Sequence, residues 1–239
     1  MSEPVSEVVA IDEIDARLSP YDWPFAEERR AEIDALWAQT VAAKPKMFNG
    51  RVLLQHQGEA RGGVFTARYF ETDYANLLAW SRFGHPAPVR NGFAMAALLS
   101  RDKAWLLGVM GPHTANAGRI YFAAGTPDRS DILADGRVDL AGSAERELCE
   151  ETGLRRDEVI IEAGWAVALS AARAAFMRPV RIDLPAHEAR RLILSRIAQQ
   201  AEPELADIHI VRSLADLPTE RAPRFMIDYL ASPAARARL

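Results

Sequence analysis

Nine residues constrain this chain more than any others: RELCEETGL, from Arg146 to Leu154. A glycine followed by an apolar residue closes a helix, because glycine takes the left-handed conformation freely and the next side chain packs back onto the last turn. Ser143 to Thr152 is therefore predicted to be a helix, with Gly153 just past its end and Leu154 as the apolar contact beyond. At about 100° per residue, Glu147, Glu150 and Glu151 share one arc of roughly 100°. Like charges at these spacings repel, and the second half of a helix is where its dipole disfavours anions. No Lys or Arg stands four residues after Glu147 or Glu150. A solvated helix face is the ordinary explanation of three glutamates. This crowding costs stability unless a cation lies between the side chains, and hard oxygen ligands at such density suit Mg²⁺ or Mn²⁺.

Around that helix the pattern predicts an α/β (α+β) fold with a mixed sheet between helices. Met1 to about Ser19 is acidic and weakly patterned, which predicts a flexible arm or an edge segment. Residues 25–43, opened by Pro24, predict one amphipathic helix with Ile33, Leu36, Trp37 and Val41 on one side. RVLLQHQ and VFTARYF flank the turn-prone GEARGG and predict a hairpin. Asp73 opens a second helix, stopped by Gly84-His85-Pro86. Beyond about Arg90, GFAMAALLS and AWLLGVMG predict strands paired across Arg101-Asp102-Lys103, and RIYFAAG one further strand before a long polar loop. GWAVALSA, FMRPVRIDL and DIHIVRS predict strands, and Leu184 to Gln200 and PRFMIDYLAS helices. A boundary falls near residue 88. Residues 1–88 form an N-terminal extension of helix, hairpin and helix that packs on a main domain at 89–239.

Arg146-Glu147-Leu148-x-Glu150-Glu151-x-Gly153-Leu154 resembles the C-terminal half of the Nudix box, G-x5-E-x7-R-E-U-x-E-E-x-G-U with U apolar, and fills every fixed position of that half. IYFAAGTPD upstream is similar to the strand and glycine turn that lead into the box. The N-terminal half departs from the pattern. Read without gaps, Val138 falls where the first glutamate belongs and Ile132 where the glycine belongs. Read from the turn at Gly125, Asp131 stands for that glutamate and fourteen residues separate it from Arg146, so ILADGRVDLAGSAE contains an insertion. Asp128 and Asp139 are rivals for the role.

The resemblance implies a Nudix-type mixed sheet sandwiched between helices, and a hydrolase that cleaves a nucleoside diphosphate linked to another moiety X. By position it implies that Glu147, Glu150 and Glu151 bind metal, that one of them accepts the proton of the attacking water, and that Arg146 orients Glu147 by charge-assisted hydrogen bonds. It implies a backbone ligand near Ala124 and Gly125, and a carboxylate from a later loop, Glu204 or else Glu202. In the loop GPHTANAGRIY, His113, Asn116 or Arg119 would contact diphosphate or sugar; a plain connecting loop is the alternative. Met110 stands where coenzyme A-cleaving members of the family carry arginine, which argues against that substrate. Cys149 reads as a small buried hydrophobe. The N-terminal unit is expected to form one wall of the substrate pocket and to select X.

The favoured substrate is a small nucleotide conjugate, a nucleotide sugar or a dinucleotide. The alternatives are a non-catalytic nucleotide-sensing module that regulates a partner, and a pyrophosphatase that cleans the nucleotide pool. A sensing module would have no use for the costly glutamate cluster. A net charge of −4 with no dense Lys/Arg block disfavours long nucleic acid. One cysteine fits a reducing compartment. No apolar run approaches the roughly 20 residues a membrane helix needs, so no membrane partner and a cytoplasmic location are expected. The oligomeric state stays open, a homodimer included.

Overall fold

NGFAMAALLS is nearly all apolar and forms the central strand β5 (Asn91–Ser100), buried at every position but the first. A strand apolar on both faces must be covered on both. The computed structural model, which describes residues 7–45 and 47–239, shows how. In chain order the elements before β5 are β1 (Glu7–Ile11), β2 (Glu13–Leu18), α1 (Pro24–Glu28), α2 (Arg30–Ala43), β3 (Arg51–Arg61), β4 (Val64–Asp73) and α3 (Tyr74–Arg82). After it come β6 (Trp105–Met110), β7 (Ile120–Tyr121), β8 (Ala124–Gly125), α4 (Leu140–Thr152), β9 (Val159–Ile161), β10 (Trp165–Leu169), β11 (Arg173–Ile182), α5 (Ala186–Ile197), β12 (Leu205–Val211), α6 (Arg224–Ala231) and α7 (Pro233–Arg236). The main sheet runs β1-β10-β11-β5-β6-β12, with β7 on β6, β8 on β5 and β9 on β11. Its β11–β5 pair is parallel and its other pairs are antiparallel, so the sheet is mixed.

On one face of this sheet Phe93 meets Phe225 of α6, with ring centroids 5.6 Å apart. Phe176, in register with Ala94 and so on the opposite face, meets Phe65 at 4.9 Å. Phe65 belongs to a second sheet, β2-β4-β3, in which β2 runs parallel to β4. The fold is therefore mixed α+β, as the alternation of patterns predicts. Trp23, Phe25, Ile33, Leu54, Phe70 and Trp80 make a separate apolar cluster beneath α1, α2 and α3. Among the described residues no helix is long and apolar enough to cross a membrane.

Several expectations need correction. Residues 7–18 are edge strands rather than a flexible arm: β1 lies at the edge of the main sheet beside β10, and β2 at the edge of the small sheet beside β4; residues 1–6 lie outside the described ones. The helix expected over 25–43 breaks at Arg29, whose guanidinium sits 4.0 Å from the Phe83 ring centroid and hydrogen-bonds Glu32. RIYFAAG is two short strands on different partners, since Ile120–Tyr121 pairs with β6 and Ala124–Gly125 with β5. The glutamate helix begins earlier than Ser143, at Leu140, because the Asp139 side chain accepts from the Gly142 amide at 2.9 Å and caps it. Cys149 is half-buried rather than buried.

Candidate active site

α4 closes as its sequence predicts: Gly153 is left-handed, with φ of 69°, its amide donates to the Cys149 carbonyl at 2.9 Å, and Leu154 is buried. The helix buries Leu140, Ala144, Leu148 and Glu151, a three-and-four spacing that ends on a carboxylate. Only 3% of Glu151 is exposed. Its Oε1 accepts from the Ala124 amide at 3.1 Å, and its Oε2 is buried with no hydrogen-bond partner. Burial first, then the neighbouring charges of Glu147, Glu204 and Glu150, push its carboxyl up to about 8 against the opposing pull of the Ala124 amide. Glu147 lies one turn back, half-buried against the β8 turn, and burial raises its carboxyl too. A β-carbon on Gly125 would displace the Glu147 carboxylate, so glycine here leaves that carboxylate its place against the turn. Glu150 is the exposed member of the three.

Arg146 ties this face to the preceding loop. Its Nη1 donates to Glu147 and its Nη2 to Asp131, each at 2.8 Å, and Glu150 stands 3.7 Å from Nη1. Burial opposes the guanidinium charge, but Asp131, Glu147 and Glu150 outweigh it and raise its pKa. The repulsion among the glutamates thus has a counter-charge, placed before them rather than four residues after. Asp131 is 4% exposed and its Oδ2 also accepts from the Asp128 amide at 3.0 Å. Of the three aspartates weighed for this place, Asp131 meets Arg146, Asp128 caps the 3₁₀ turn Arg129–Asp131, and Asp139 caps α4.

Glu204 is exposed just before β12, and its negative charge reaches Glu147, Glu151 and Tyr121. Its carbonyl accepts from the Gly111 amide at 2.7 Å. Glu202 lines a cavity nearby. Asn116 donates to the Tyr121 hydroxyl at 3.1 Å, which places it beside the carboxylates. His113 faces the cavity that Glu202 lines. Arg119 turns away and reaches the Glu220 carbonyl. The sequence reading missed Tyr121, whose buried hydroxyl is raised first by burial; its place inside RIYFAAG was the available signal. It also missed Glu71 of β4, which pairs with Arg129 in the loop that carries Asp131, and no local signal could have shown that contact.

Among the described residues no three His, Cys, Asp or Glu side chains already converge as a metal site. The donor set nevertheless fits a hard cation. The unpartnered Glu151 Oε2, the Glu147 carboxylate and the close-set glycine turn supply oxygen donors on one side of α4. No protein-family model matches the chain, and no curated protein does. Similar solved structures include RenU, a Nudix hydrolase from M. smegmatis, at 17% identity over 59% of this chain and 81% of that one, with a TM-score of 0.39. A variant of the Bacillus subtilis pyrophosphohydrolase BsRppH is 15% identical over 61% of this chain and 78% of that one, with a TM-score of 0.32.

Proposed function

We propose that this chain is a Nudix-type pyrophosphohydrolase that uses a divalent metal ion, Mg²⁺ or Mn²⁺, to cleave the diphosphate linkage of a nucleoside diphosphate joined to another moiety, a nucleotide sugar or dinucleotide above all. The observation that carries the reading is Glu151: a buried carboxylate with one oxygen on a backbone amide and the other on nothing. An unpartnered buried polar atom costs about 1–3 kcal/mol. That cost is offset when a cation occupies the position the oxygen faces.

Glu147 and Glu151 would hold the ion, with Glu204 and the backbone at Ala124 and Gly125 as further oxygen donors. A bound divalent ion neutralises diphosphate charge and makes its water more acidic. Arg146, fixed by Asp131, keeps the Glu147 carboxylate from swinging away. Glu150, the most exposed of the three, is the residue from which a proton taken from the attacking water can leave to solvent. The water oxygen bonds to one phosphorus, the bridging P–O bond breaks, and the departing phosphate carries the electron pair. The test is a panel of nucleotide sugars, dinucleotides and nucleoside triphosphates with Mg²⁺ or Mn²⁺, read by release of nucleoside monophosphate or phosphate. Turnover abolished by chelation supports the reading. No turnover on any member with either ion overturns it.

A further inference from the structure

Two cavities meet where the N-terminal segment faces the ends of the main-sheet strands. The larger, about 830 Å³, lies between Lys44, Pro45 and Met47 on one side and the segments 111–113 and 201–206 on the other. The smaller, about 270 Å³, adds Phe48 and Tyr74. Lys44, Met47 and His113 line both, so the two form one cleft. The larger cavity alone has the size of a small-molecule pocket, for which about 300–1,000 Å³ is usual.

The cleft borders the carboxylates through Glu204, whose charge reaches Glu147 and Glu151. Glu204 stands between two of its lining residues, Pro203 and Leu205, and its backbone is tied to Gly111 on the same wall. Gly111 keeps that junction narrow: a β-carbon there would come within 2.9 Å of the Glu204 carbonyl and 3.2 Å of the His113 ring. A ligand with its diphosphate at Glu147 and Glu151 therefore has this cleft next to it.

The chemistry of the lining selects which part of the ligand enters. Phe48 is 82% exposed, an apolar ring held out in solvent. Tyr74 is fixed edge-on to Trp37, with centroids 6.3 Å apart. Met47, Pro45, Pro112 and Pro203 add apolar faces, whereas the polar side chains are few. A sugar, with a hydroxyl on nearly every carbon, finds too few hydrogen-bond partners in such walls. A planar heterocycle is suited to them, since stacking of a base on an aromatic side chain contributes about 1–3 kcal/mol.

Building on the hydrolase reading, we propose that this cleft binds the base of the nucleoside diphosphate, with its ring stacked on Phe48, and that the N-terminal segment thereby recognises the nucleoside rather than X. Saturation-transfer NMR and calorimetry on the full chain test it, using adenosine and uridine, ADP and UDP with Mg²⁺, and methylenediphosphonate with Mg²⁺ as a base-free probe. Phe48→Ala should weaken both nucleosides and both diphosphates about tenfold and leave methylenediphosphonate unchanged. Phe48→Trp should keep wild-type affinity. Base protons should receive more transfer than ribose protons. Equal affinity of Phe48→Ala and wild type for the nucleosides, or strongest transfer at the ribose, overturns the proposal. Because the nucleosides carry no phosphate, they read the cleft alone. Failure of Mg²⁺ and methylenediphosphonate to bind would count instead against the hydrolase reading.

Discussion

Glu151 and Glu158 sit seven residues apart, one at the end of α4 and one just after it, and the fold treats them oppositely. Glu158 is gripped by both terminal nitrogens of Arg196, accepts from the Arg155 amide at 2.8 Å and meets the Arg155 guanidinium at 3.1 Å. Those contacts, Arg196 first, pull its carboxyl down to about 2. Glu151 has one amide, no cation and three acidic neighbours. A carboxylate that serves the fold is satisfied by the fold. On the proposed hydrolase reading, one left short of partners in a buried position is held there for the metal ion.

The sharpest way to break this contrast is a pH series of urea unfolding in chelator. The raised Glu151 carboxyl favours the neutral form, so its contribution is complete below about pH 4.5 and is lost as pH rises through about 8. The upper bound on that loss is about 5 kcal/mol. Glu158 has the reverse sign: its contribution is present above about pH 4.5 and is lost as pH falls toward 2. Glu151→Gln should flatten the alkaline limb alone and Glu158→Gln the acid limb alone. If both variants change the same limb, the contrast is wrong.

Activity comes next in size. Glu151→Gln should lower turnover at least about a hundredfold, the scale seen when a single charge-stabilising group is removed, while the metal-free protein melts no lower than wild type. Glu158→Gln should leave turnover per folded molecule near wild type. Steady-state rates and calorimetry separate the two, and full activity in Glu151→Gln would remove the metal assignment.

Metal should act on one site and not the other. Mg²⁺ or Mn²⁺ at a hundred times its dissociation constant stabilises the native state by about 2.7 kcal/mol. That is a rise of several degrees in melting temperature for a chain of this size. The rise should persist in Glu158→Gln and vanish in Glu151→Gln. A smaller effect is expected for Arg146→Lys, which keeps the charge but cannot hold Asp131 and Glu147 together. Its turnover should fall about tenfold, a typical cost for disturbing a residue that orients a metal ligand. The smallest is Glu71→Gln, which breaks a surface pair with Arg129 and should cost under about 1 kcal/mol in thermal unfolding.

Much of α4 was legible because a helix is specified locally. Its end follows from Gly153 and Leu154, and its strong binary pattern survives any tertiary setting. Asp131 was legible in part, because the motif called for a carboxylate in place of its first glutamate and the chain offered three within reach in sequence. Only folding could choose among them, since it is the 3₁₀ turn at Arg129–Asp131 that aims Asp131 inward. The break at Arg29 was hidden for a related reason. Nothing in AEERRAE forbids helix, and the interruption accompanies a cation–ring contact to Phe83, far away in sequence.

The sequence by itself determined the local elements: the long apolar strands, the hairpin, the glutamate helix with its glycine end, and the oxygen-rich chemistry of its motif. These depend on backbone preference and on spacing within a few residues. Tertiary structure alone decided which glutamate went inside. On the helical wheel Glu147, Glu150 and Glu151 are near equivalents, and they separate only when the β8 turn comes to rest on one side of α4. It then covers Glu151, crowds Glu147 against Gly125 and leaves Glu150 in water. Tertiary packing likewise placed β1 in the main sheet and set Lys44, Met47 and Phe48 around one cavity with His113. Pairings between residues far apart in the chain depend on the packed surfaces as a whole, and no local pattern encodes them.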